Sequence, residues 1–354
     1  PRKIELEDLL GRQAVDLNVQ GLASLFSGKT VFVSGAGGSI GSELCRQVAR
    51  LGVARLVCVD SSEIAVYKLE QELQEAHPQM QGLYYTANVR ELDRLRAIAM
   101  QYKPSVFFHA AAYKHVPLME SHNEIEAVRT NILGTLHAAR VAGECGAQKF
   151  VLISTDKAIE PVSVLGASKR LAELACQALF ADGPTSLAIV RFGNVLDSAG
   201  SVVPLFREQI ARGGPVTVTH PDITRYFMTI PEACQLILQT THLSVATTSV
   251  FTLDMGQPVA IRELAEQMIR LAGKHPGTDI AIEFIGLRPG EKLHETVLHP
   301  EERCAQTVNA RVLRSEPRPV DPAWMARTLE RLDLQLKSSE SDDSFKAFLR
   351  ETVH

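Results

Sequence analysis

The sequence predicts an α/β fold in which helices cover both faces of a parallel sheet and a smaller lobe follows. Short apolar runs of four to six residues recur along residues 30–192, and helical patterns separate them. The first run, Thr30–Ser34, leads directly into a loop with glycines at 35, 38 and 41. Strands that alternate with helices in this way build a doubly wound sheet of the Rossmann type.

The later apolar runs extend the same pattern along the chain. Further strands are expected at Arg55–Val59, Leu83–Thr86, Ser105–His109, Phe150–Ile153 and Leu187–Phe192. We therefore expect a lead-in helix over 1–28 and a cofactor-binding domain with the catalytic segment over 29–186. A lobe over 187–330 is expected mainly to bind substrate and to return strands to the core, before a tail with one helix over 331–354.

Composition narrows the class of protein. Of the 354 residues, 45% are hydrophobic and 22% are charged, which is typical of a soluble globular chain. The net charge of −4 argues against a nucleic-acid partner. The six cysteines stand singly, so a reducing, cytoplasmic setting and no metal site are expected. No apolar run reaches the roughly 20 residues that a membrane span needs, although a chain that opens on Pro1 is expected to be a fragment.

The glycine loop predicts a dinucleotide site. Gly35, Gly38 and Gly41 leave room for a pyrophosphate to approach the backbone at a helix amino terminus. Asp60 ends the second strand, where a carboxylate binds ribose hydroxyls and repels a 2′-phosphate, so NAD is expected rather than NADP. A simple turn role for Asp60 stays open. The expected cofactor-binding residues are Gly35, Gly38, Ser39, Ile40, Gly41, Asp60, Ser61, Asn88, Val89, Ala110, Ala111 and Lys169.

A polar quartet, Ser154–Lys157, follows the apolar run Phe150–Ile153. It therefore stands at the carboxyl end of a strand, where open α/β sheets bind their ligands. Lys169 follows twelve residues after Lys157, at the expected start of a helix. A hydroxyl, a carboxylic acid and an amine side by side predict a catalytic site, while an inert ion pair between Asp156 and Lys157 is the alternative.

Several longer motifs resemble one family. The glycine loop, His109–Glu120, Thr155–Lys157 and Arg288–Lys292 resemble extended short-chain dehydrogenase/reductases. More narrowly, they are similar to the soluble domain of bacterial UDP-N-acetylglucosamine 4,6-dehydratases of surface-polysaccharide and glycan biosynthesis. The resemblance covers about residues 5–315. It implies NAD, a UDP-N-acetylglucosamine substrate, a dimer or larger homo-oligomer, and a cytoplasmic domain of a protein anchored in the inner membrane.

The resemblance also implies a reaction. C4 of the sugar is oxidised, water is lost across C5 and C6, and C6 is then reduced. Lys157 is the implied base at C5 and Asp156 the implied acid at the C6 oxygen. Both roles need protonation states opposite to the usual ones at neutral pH. Burial and a positively charged nicotinamide would lower the lysine pKa, and desolvation would raise that of the aspartate.

One position departs from the pattern Tyr-x-x-x-Lys that is usual in short-chain enzymes. Leu165 stands four residues before Lys169, and leucine cannot exchange a proton. An apolar residue there is similar to the larger dehydratases, which implies that the configuration at C5 is retained. The acceptor of the C4 hydroxyl proton stays open between Asp156 and Lys157 acting through a water, with Thr155 orienting the hydroxyl. Lys169 is expected to hold the nicotinamide ribose.

The second half of the chain supplies the expected substrate contacts. Arg225 and Arg288 are expected on the diphosphate, because guanidinium groups pair with phosphate oxygens, and Glu291 on the uridine ribose. The full expected set is Lys114, His115, Asn194, Ser201, Val202, Arg225, Arg288 and Glu291. Two other functions fit the same sequence: a nucleotide-sugar C4 epimerase, and a non-catalytic module that senses a dinucleotide.

Overall fold

The computed structural model describes residue 10 and residues 19–244, 247–338 and 341–353. Most of the predicted lead-in helix lies outside these residues, and its described part is α1, Val19–Phe26. The remaining helices are α2 Ser39–Ala49, α3 Glu63–Ala76, α4 Leu92–Tyr102, α5 Val116–Met119, α6 Glu124–Ala127, α7 Thr135–Glu144, α8 Val164–Phe180, α9 Val202–Ala211, α10 Ile230–Leu243, α11 Ile261–Leu271, α12 Pro322–Lys337 and α13 Asp342–Val353.

The strands form one large sheet and three small ribbons. They are β1 Thr30–Ser34, β2 Arg55–Asp60, β3 Gln81–Thr86, β4 Val106–His109, β5 Lys149–Ile153, β6 Ser186–Arg191, β7 Asn194–Val195, β8 Val216–Val218, β9 Thr224–Arg225, β10 Phe227–Met228, β11 Thr248–Leu253, β12 Val259–Ala260, β13 Ile282–Phe284, β14 Cys304–Gln306 and β15 Val312–Ser315.

The large sheet confirms the predicted doubly wound fold. Its strand order is β14-β15-β11-β6-β5-β4-β1-β2-β3. The strands from β3 to β11 pair in parallel, and β15 and β14 add an antiparallel edge. All five residues of β1 are buried, as expected for a strand that helices cover on both faces. Every parallel strand therefore ends at the same edge of the sheet.

Helices pack on both faces of this sheet and shield its apolar side chains. Leu44, Val48 and Leu236, from α2 and α10, belong to the core on one face. Ala138 and Ala142 of α7 belong to the core on the other. A separate core in the small lobe joins α9, α11 and β8. No helix among the described residues is both long and apolar enough to cross a bilayer.

Two helices differ from the sequence expectation. Helix α8 begins at Val164 because the Ser163 hydroxyl accepts a hydrogen bond from Gly166 N at 3.0 Å, so Lys169 lies in its second turn rather than at its start. The carboxyl-terminal region has two helices, α12 and α13, rather than one. Phe345 and Phe348 of α13 are fully buried and pack in the same core as residues of α8.

Candidate active site

The glycine loop after β1 is closed tightly over the end of β4. A Cβ on Gly41 would lie 1.9 Å from Gly35 O, and one on Gly35 would lie 2.5 Å from Ala111 N. Gly35 also has a φ of +71°, which side chains disfavour. Gly38 caps α2 without a side-chain hydrogen bond, so the first amides of that helix remain available to a bound anion. The residues present therefore fit a dinucleotide pyrophosphate.

Asp60 joins this loop to β2. Its Oδ2 accepts a hydrogen bond from Gly37 N at 2.9 Å, and its Oδ1 accepts one from Ser62 N at 2.9 Å. Each carboxylate oxygen can accept a second hydrogen bond, so the turn role and the ribose role are compatible. Ser61 is exposed beside it.

The residues after β3 serve a local turn. Asn88 Oδ1 accepts a hydrogen bond from Arg90 N at 3.0 Å, a contact typical of an asparagine in a turn. Val89 is buried, and its carbonyl oxygen lies 3.0 Å from His137 Nδ1 of α7. The structure therefore assigns Asn88 and Val89 contacts within the protein, and their contact with a cofactor stays a prediction.

Buried polar side chains hold the strand end at β4. His109 Nδ1 lies 2.7 Å from Ser34 Oγ, and its Nε2 lies 3.0 Å from Thr135 Oγ1. Burial, with a smaller repulsion from Lys169, lowers the pKa of His109 to about 3, so the imidazole is neutral at neutral pH. These bonds fix the segment that carries Ala110 and Ala111.

Asn131 fixes the same segment from a π-helical turn, Val128–Gly134. Its Oδ1 accepts a hydrogen bond from Tyr113 N at 2.9 Å, and its Nδ2 donates to Tyr113 O at 3.2 Å and to Ser168 Oγ at 3.0 Å. The asparagine thus links the chain after β4 to helix α8. From the sequence, a single asparagine in a helical pattern indicates only that the helix is interrupted. Its hydrogen-bond partners, Tyr113 and Ser168, can be identified only in the structure.

The predicted catalytic pair lies together at the end of β5. Lys157 Nζ donates to Asp156 Oδ1 at 3.1 Å and to Asn194 Oδ1 at 3.2 Å. Thr155 Oγ1 donates to the same Asp156 oxygen at 3.1 Å. The Asp156 side chain is 4% exposed and that of Lys157 is 19% exposed, so the amine is the more accessible partner. Asn194, predicted on the substrate side, therefore belongs to this cluster.

The charge state of the pair differs from the sequence expectation. Burial lowers the pKa of Lys157, but the carboxylates of Asp156 and Glu295 more than offset it, and the pKa ends above its usual value. The expectation of a lowered lysine pKa is therefore wrong for the chain by itself. The structure shows the alternative, an ion pair between Asp156 and Lys157.

Lys169 and Leu165 are both buried in α8. Lys169 Nζ donates to Ile153 O, the last carbonyl of β5, at 2.7 Å. Burial lowers the pKa of Lys169 to about 8. Leu165 packs in an apolar core with Met119 and Leu171, so it has a structural role at the position usual for tyrosine. A ribose contact for Lys169 stays a prediction.

A buried ionic network that the sequence did not reveal lies directly behind the pair. Glu173 accepts from Ser154 Oγ at 2.6 Å and from Arg191 Nη2 at 2.7 Å, while Arg191 Nη1 donates to Glu302 Oε2 at 2.8 Å. Burial raises the pKa of Glu173, but Arg191 and Arg170 outweigh it and bring that pKa to about 2. The network ties α8, β6 and the segment before β14 to the start of the quartet.

The two arginines expected on a diphosphate differ in their surroundings. Arg225 is buried, and its guanidinium donates to Glu291 Oε1 at 3.3 Å and to Thr224 O at 2.7 Å. Glu291 also accepts from Thr219 and from Arg288 N, so it is engaged within its own loop. Arg225 and Glu291 are thus paired with each other in the chain by itself, and their contacts with a diphosphate and a ribose stay predictions. Arg288 is exposed, and among the described residues no hydrogen bond or ion pair of its guanidinium is found.

The remaining predicted substrate residues line one approach to the loop. Ser201 caps α9, next to Val202, and its Oγ is buried without a hydrogen-bond partner among the described residues. Ala199 N donates to Ser39 Oγ at 3.3 Å, which brings this segment to the glycine loop. A Cβ on Gly200 would lie 2.3 Å from His115 Cε1, so His115 packs against the same segment, and Lys114 beside it is exposed.

Glu295 is a site residue that sequence reasoning missed. Its side chain is 2% exposed, and its Oε1 lies 3.6 Å from Lys157 Nζ and 3.8 Å from Arg225 Nε. The signal that could have found it is its place three residues after the Arg288–Lys292 motif that carries the resemblance. Gly193 was also missed: a Cβ there would lie 2.9 Å from Asp156 Oδ2, so only glycine leaves that oxygen its space.

Comparison with known proteins shows the family of this chain. The sequence profile of a family described as "Polysaccharide biosynthesis protein" matches residues 31–317. The chain belongs to this family. With its parallel sheet and glycine loop, this family belongs to the extended short-chain dehydrogenase/reductases.

Relatives of this chain include larger proteins. It is 49% identical over 317 residues to "Capsular polysaccharide biosynthesis protein CapD" of Staphylococcus aureus, covering 89% of this chain and 52% of that protein. It is 45% identical to "Probable polysaccharide biosynthesis protein EpsC" of Bacillus subtilis (strain 168), covering 87% of this chain and 51% of that one. The chain thus spans about half the length of these relatives. A "UDP-glucose 4-epimerase" of Rickettsia rickettsii is 30% identical, covering 78% of this chain and 80% of the epimerase.

Solved structures share the fold. Pen from Bacillus thuringiensis has a TM-score of 0.74 at 31% identity, covering 83% of this chain and 91% of Pen. A dTDP-glucose 4,6-dehydratase, DesIV from Streptomyces venezuelae with NAD and TYD bound, has a TM-score of 0.67 at 19% identity. It covers 85% of this chain and 96% of DesIV, and at that identity it shows the fold alone.

Proposed function

We propose that this chain is an NAD-dependent UDP-N-acetylglucosamine 4,6-dehydratase that yields UDP-2-acetamido-2,6-dideoxy-4-hexulose with the C5 configuration retained. The observation that carries the proposal is the hydrogen-bonded Asp156 and Lys157 pair at the carboxyl end of β5, 3.1 Å apart. An acid and an amine in contact at this edge are what the elimination of water across C5 and C6 needs.

The chain's own residues prepare the cofactor site. The amides at the start of α2 bind the pyrophosphate, Asp60 binds a ribose, and Lys169 holds the second ribose beside the end of β5. The bound NAD would supply the acceptor for the hydride that leaves C4 and, once reduced, the donor of that hydride to C6. NAD is favoured over NADP because the Asp60 carboxylate repels a 2′-phosphate.

The ion pair already contains the proton that the reaction needs. Moving one proton from Lys157 Nζ to Asp156 Oδ1 along their 3.1 Å hydrogen bond gives a neutral amine and a neutral carboxylic acid. A site sheltered from water favours the neutral form of such a pair over the charged form. The raised pKa of Lys157 concerns loss of its proton to solvent. Transfer of that proton within the pair is a different step, and it leaves Lys157 as a base and Asp156 as an acid.

Elimination then follows with all protons counted. The C5–H bond breaks, its proton joins Lys157 Nζ, and its electron pair forms the C5–C6 double bond. The C6–O bond breaks as Asp156 gives its proton to the leaving oxygen, so water departs. Lys157 later returns its proton to C5. Before elimination the C4 hydroxyl proton leaves to solvent through a water and Asp156 or Lys157, with Thr155, 3.1 Å from the Asp156 carboxylate, orienting the hydroxyl, so that the pair again holds one proton. A proton from solvent restores the ion pair after Lys157 has returned its proton to C5.

Substrate binding uses the segments that close over the pair. Asn194, Lys114 and His115 are proposed along the sugar, and Ser201 and Val202 present the start of α9 to the uridine diphosphate. Arg288 is proposed on the diphosphate because its guanidinium is exposed. Arg225 and Glu291 reach the ligand in this proposal only if their mutual contact at 3.3 Å opens.

The product of purified chain with NAD and UDP-N-acetylglucosamine tests the proposal. We expect a 4-keto-6-deoxy sugar nucleotide that absorbs at high pH, with deuterium from heavy water entering C5 and the C5 configuration unchanged by NMR. The rival is a C4 epimerase, which the identity to the Rickettsia rickettsii enzyme favours. Formation of UDP-N-acetylgalactosamine would support that rival, and NAD binding without turnover of UDP-sugars would support a sensing module.

Lys157→Ala tests the base. We expect turnover to fall by about 10²–10⁴-fold, the usual contribution of a general base, while NAD binding measured by fluorescence titration stays within about twofold. Lys274→Ala, at an exposed lysine away from the pair, is the matched control and should keep full turnover. Intact turnover in Lys157→Ala would refute the assignment.

On the family resemblance, we also propose that the chain is the cytoplasmic domain of an inner-membrane-anchored bacterial protein, that it serves surface-polysaccharide or glycan synthesis, and that it forms a dimer or larger homo-oligomer. Light scattering of the purified chain tests the assembly, and membrane fractionation of the full-length protein tests the anchor. A monomer in the first measurement, or full-length protein free of membranes in the second, would contradict these two proposals.

A further inference from the structure

Glu295 is a buried carboxylate whose position the reaction above does not explain. Its side chain is 2% exposed, and its Oε2 has no hydrogen-bond partner among the described residues. Burying a charged group without full hydrogen bonding is costly, so a carboxylate kept there needs a nearby positive charge. Three cations face it: Lys157 Nζ at 3.6 Å, Arg225 Nε at 3.8 Å and Lys292 Nζ at 4.0 Å.

Two of these cations have stronger partners elsewhere. Lys292 Nζ donates to Ile159 O at 2.9 Å, and Arg225 donates to Thr224 O at 2.7 Å and to Glu291 at 3.3 Å. Lys157 also has a nearer partner, the Asp156 oxygen at 3.1 Å, but of the three cations it is the closest to Glu295, and its remaining contact is the neutral Asn194 amide. The amine thus lies between two carboxylates, one beside it in sequence and one from the loop after β13.

We propose that Glu295 is a positioning residue that holds the ammonium form of Lys157 against Asp156 and Asn194. The inference rests on the proposed function, in which Lys157 carries the C5 proton between its removal and its return. Once Asp156 has given its proton to the leaving oxygen, Glu295 is a second negative charge that keeps the C5 proton on Nζ. Glu295 exchanges no proton with the sugar in this scheme.

The charges around Lys157 determine the direction in which its pKa changes when Glu295 is replaced. Asp156 and Glu295 favour the ammonium, and Arg225 opposes it. Replacing Glu295 by glutamine keeps the side-chain shape and removes one negative charge, so Lys157 loses its proton at lower pH. An opposite charge within about 4–6 Å typically shifts a pKa by 1–3 units, so a downward shift of about one unit or more is expected.

The first test needs no turnover. In the purified chain, lysines are acetylated in competition across a pH series, and peptide mass spectrometry follows the labelling of Lys157, which at 19% exposure can be reached by a small reagent. In Glu295→Gln we expect its titration to move down by about one pH unit or more. Glu301→Gln removes an exposed carboxylate that pairs with Arg318, and it should leave the Lys157 titration unchanged. An unchanged titration in Glu295→Gln would overturn the inference.

The second test uses the reaction and a conservative variant. In Glu295→Gln we expect the rising limb of kcat against pH to move to lower pH by the same amount, with the KM for UDP-N-acetylglucosamine changed less than about twofold. Glu295→Asp keeps the negative charge but places it further from Lys157 Nζ, because the side chain is one methylene shorter. It should therefore shift the Lys157 titration less than Glu295→Gln does. If Glu295→Gln does not fold, Glu295→Asp carries the test, and no shift in that variant overturns the inference.

The two hypotheses fail separately. A wild-type chain that forms no 4-keto product refutes the dehydratase, whatever the lysine titration shows. If the wild-type chain forms the product but the Lys157 titration is the same in wild type and in Glu295→Gln, only the role of Glu295 is refuted.

Discussion

The two ends of the ligand-binding edge are built in different ways. The glycine loop is built from backbone and from missing side chains: Gly41 and Gly35 pack against main-chain atoms of the loop and of the segment after β4. The end of β5 is built from charged side chains: Asp156 and Lys157 form an ion pair, and Ser154 before them is bonded to Glu173 of the buried Glu173–Arg191 pair. The first arrangement is local in the chain, and the second joins distant segments.

This difference teaches where each end is vulnerable. A backbone site fails when a side chain is added, since a Cβ has nowhere to go. A buried ionic site fails when a side chain is removed, since its partner is left charged and unpaired in a medium of low dielectric constant. The following experiments set these two failures against each other.

The largest effect is expected for Arg191→Met. It leaves Glu173 and Glu302 without their main buried cation, so the free energy of unfolding should fall by about 3–5 kcal/mol in urea denaturation. Arg207→Met breaks an exposed pair with Asp197 and should cost about 0–1 kcal/mol. Equal effects of the two substitutions would mean that burial of the network contributes nothing.

A smaller effect is expected from His109, at the end of β4, on the free energy of unfolding at acid pH. His109 has a folded-state pKa of about 3, below the roughly 6.5 of the unfolded chain, so its contribution to stability is present above pH 6.5 and is lost as the pH falls towards 3. At pH 4.5 the free energy of unfolding that is lost through His109 is about 2.7 kcal/mol, from roughly two pH units at about 1.36 kcal/mol each. Urea denaturation at several pH values should show a shallower pH dependence in His109→Gln, whereas the exposed His242→Gln should match wild type.

Gly41→Ala tests the backbone site. The added Cβ would lie 1.9 Å from Gly35 O, and the strain of about 1–3 kcal/mol should weaken NAD binding by about 5- to 150-fold in calorimetry. Gly183→Ala is the control, because its Cβ would make an ordinary contact at 3.9 Å and should leave affinity unchanged. Full affinity in Gly41→Ala would show that the loop can open without cost.

The smallest effect is expected for Leu165→Met. The side chain is buried in an apolar core, and a swap of similar volume should change the free energy of unfolding by less than about 1.5 kcal/mol and leave turnover and the C5 configuration unchanged. A large loss of turnover without loss of stability would show that Leu165 contacts the substrate.

Sequence reasoning reached most of the fold and part of the site. The buried strands were visible because each is a short apolar run between turns, and Asp60 was visible because it ends one of them. The start of α8 was missed because its cap, Ser163, is an ordinary polar residue until Gly166 N is found bonded to it. The pairing of Arg225 with Glu291 was missed because Glu291 comes from a loop 66 residues further along the chain.

By itself, the sequence determined the parallel sheet, the glycine loop at the first strand end and the acid and amine at the fifth. Each of these depends on residues that are neighbours in the chain, where spacing alone carries the information. Only the tertiary structure decided the charge around Lys157, because Asn194, Arg225 and Glu295 reach it from separate segments. Electrostatic interactions depend on distance in space and on burial, and neither can be read from the order of residues.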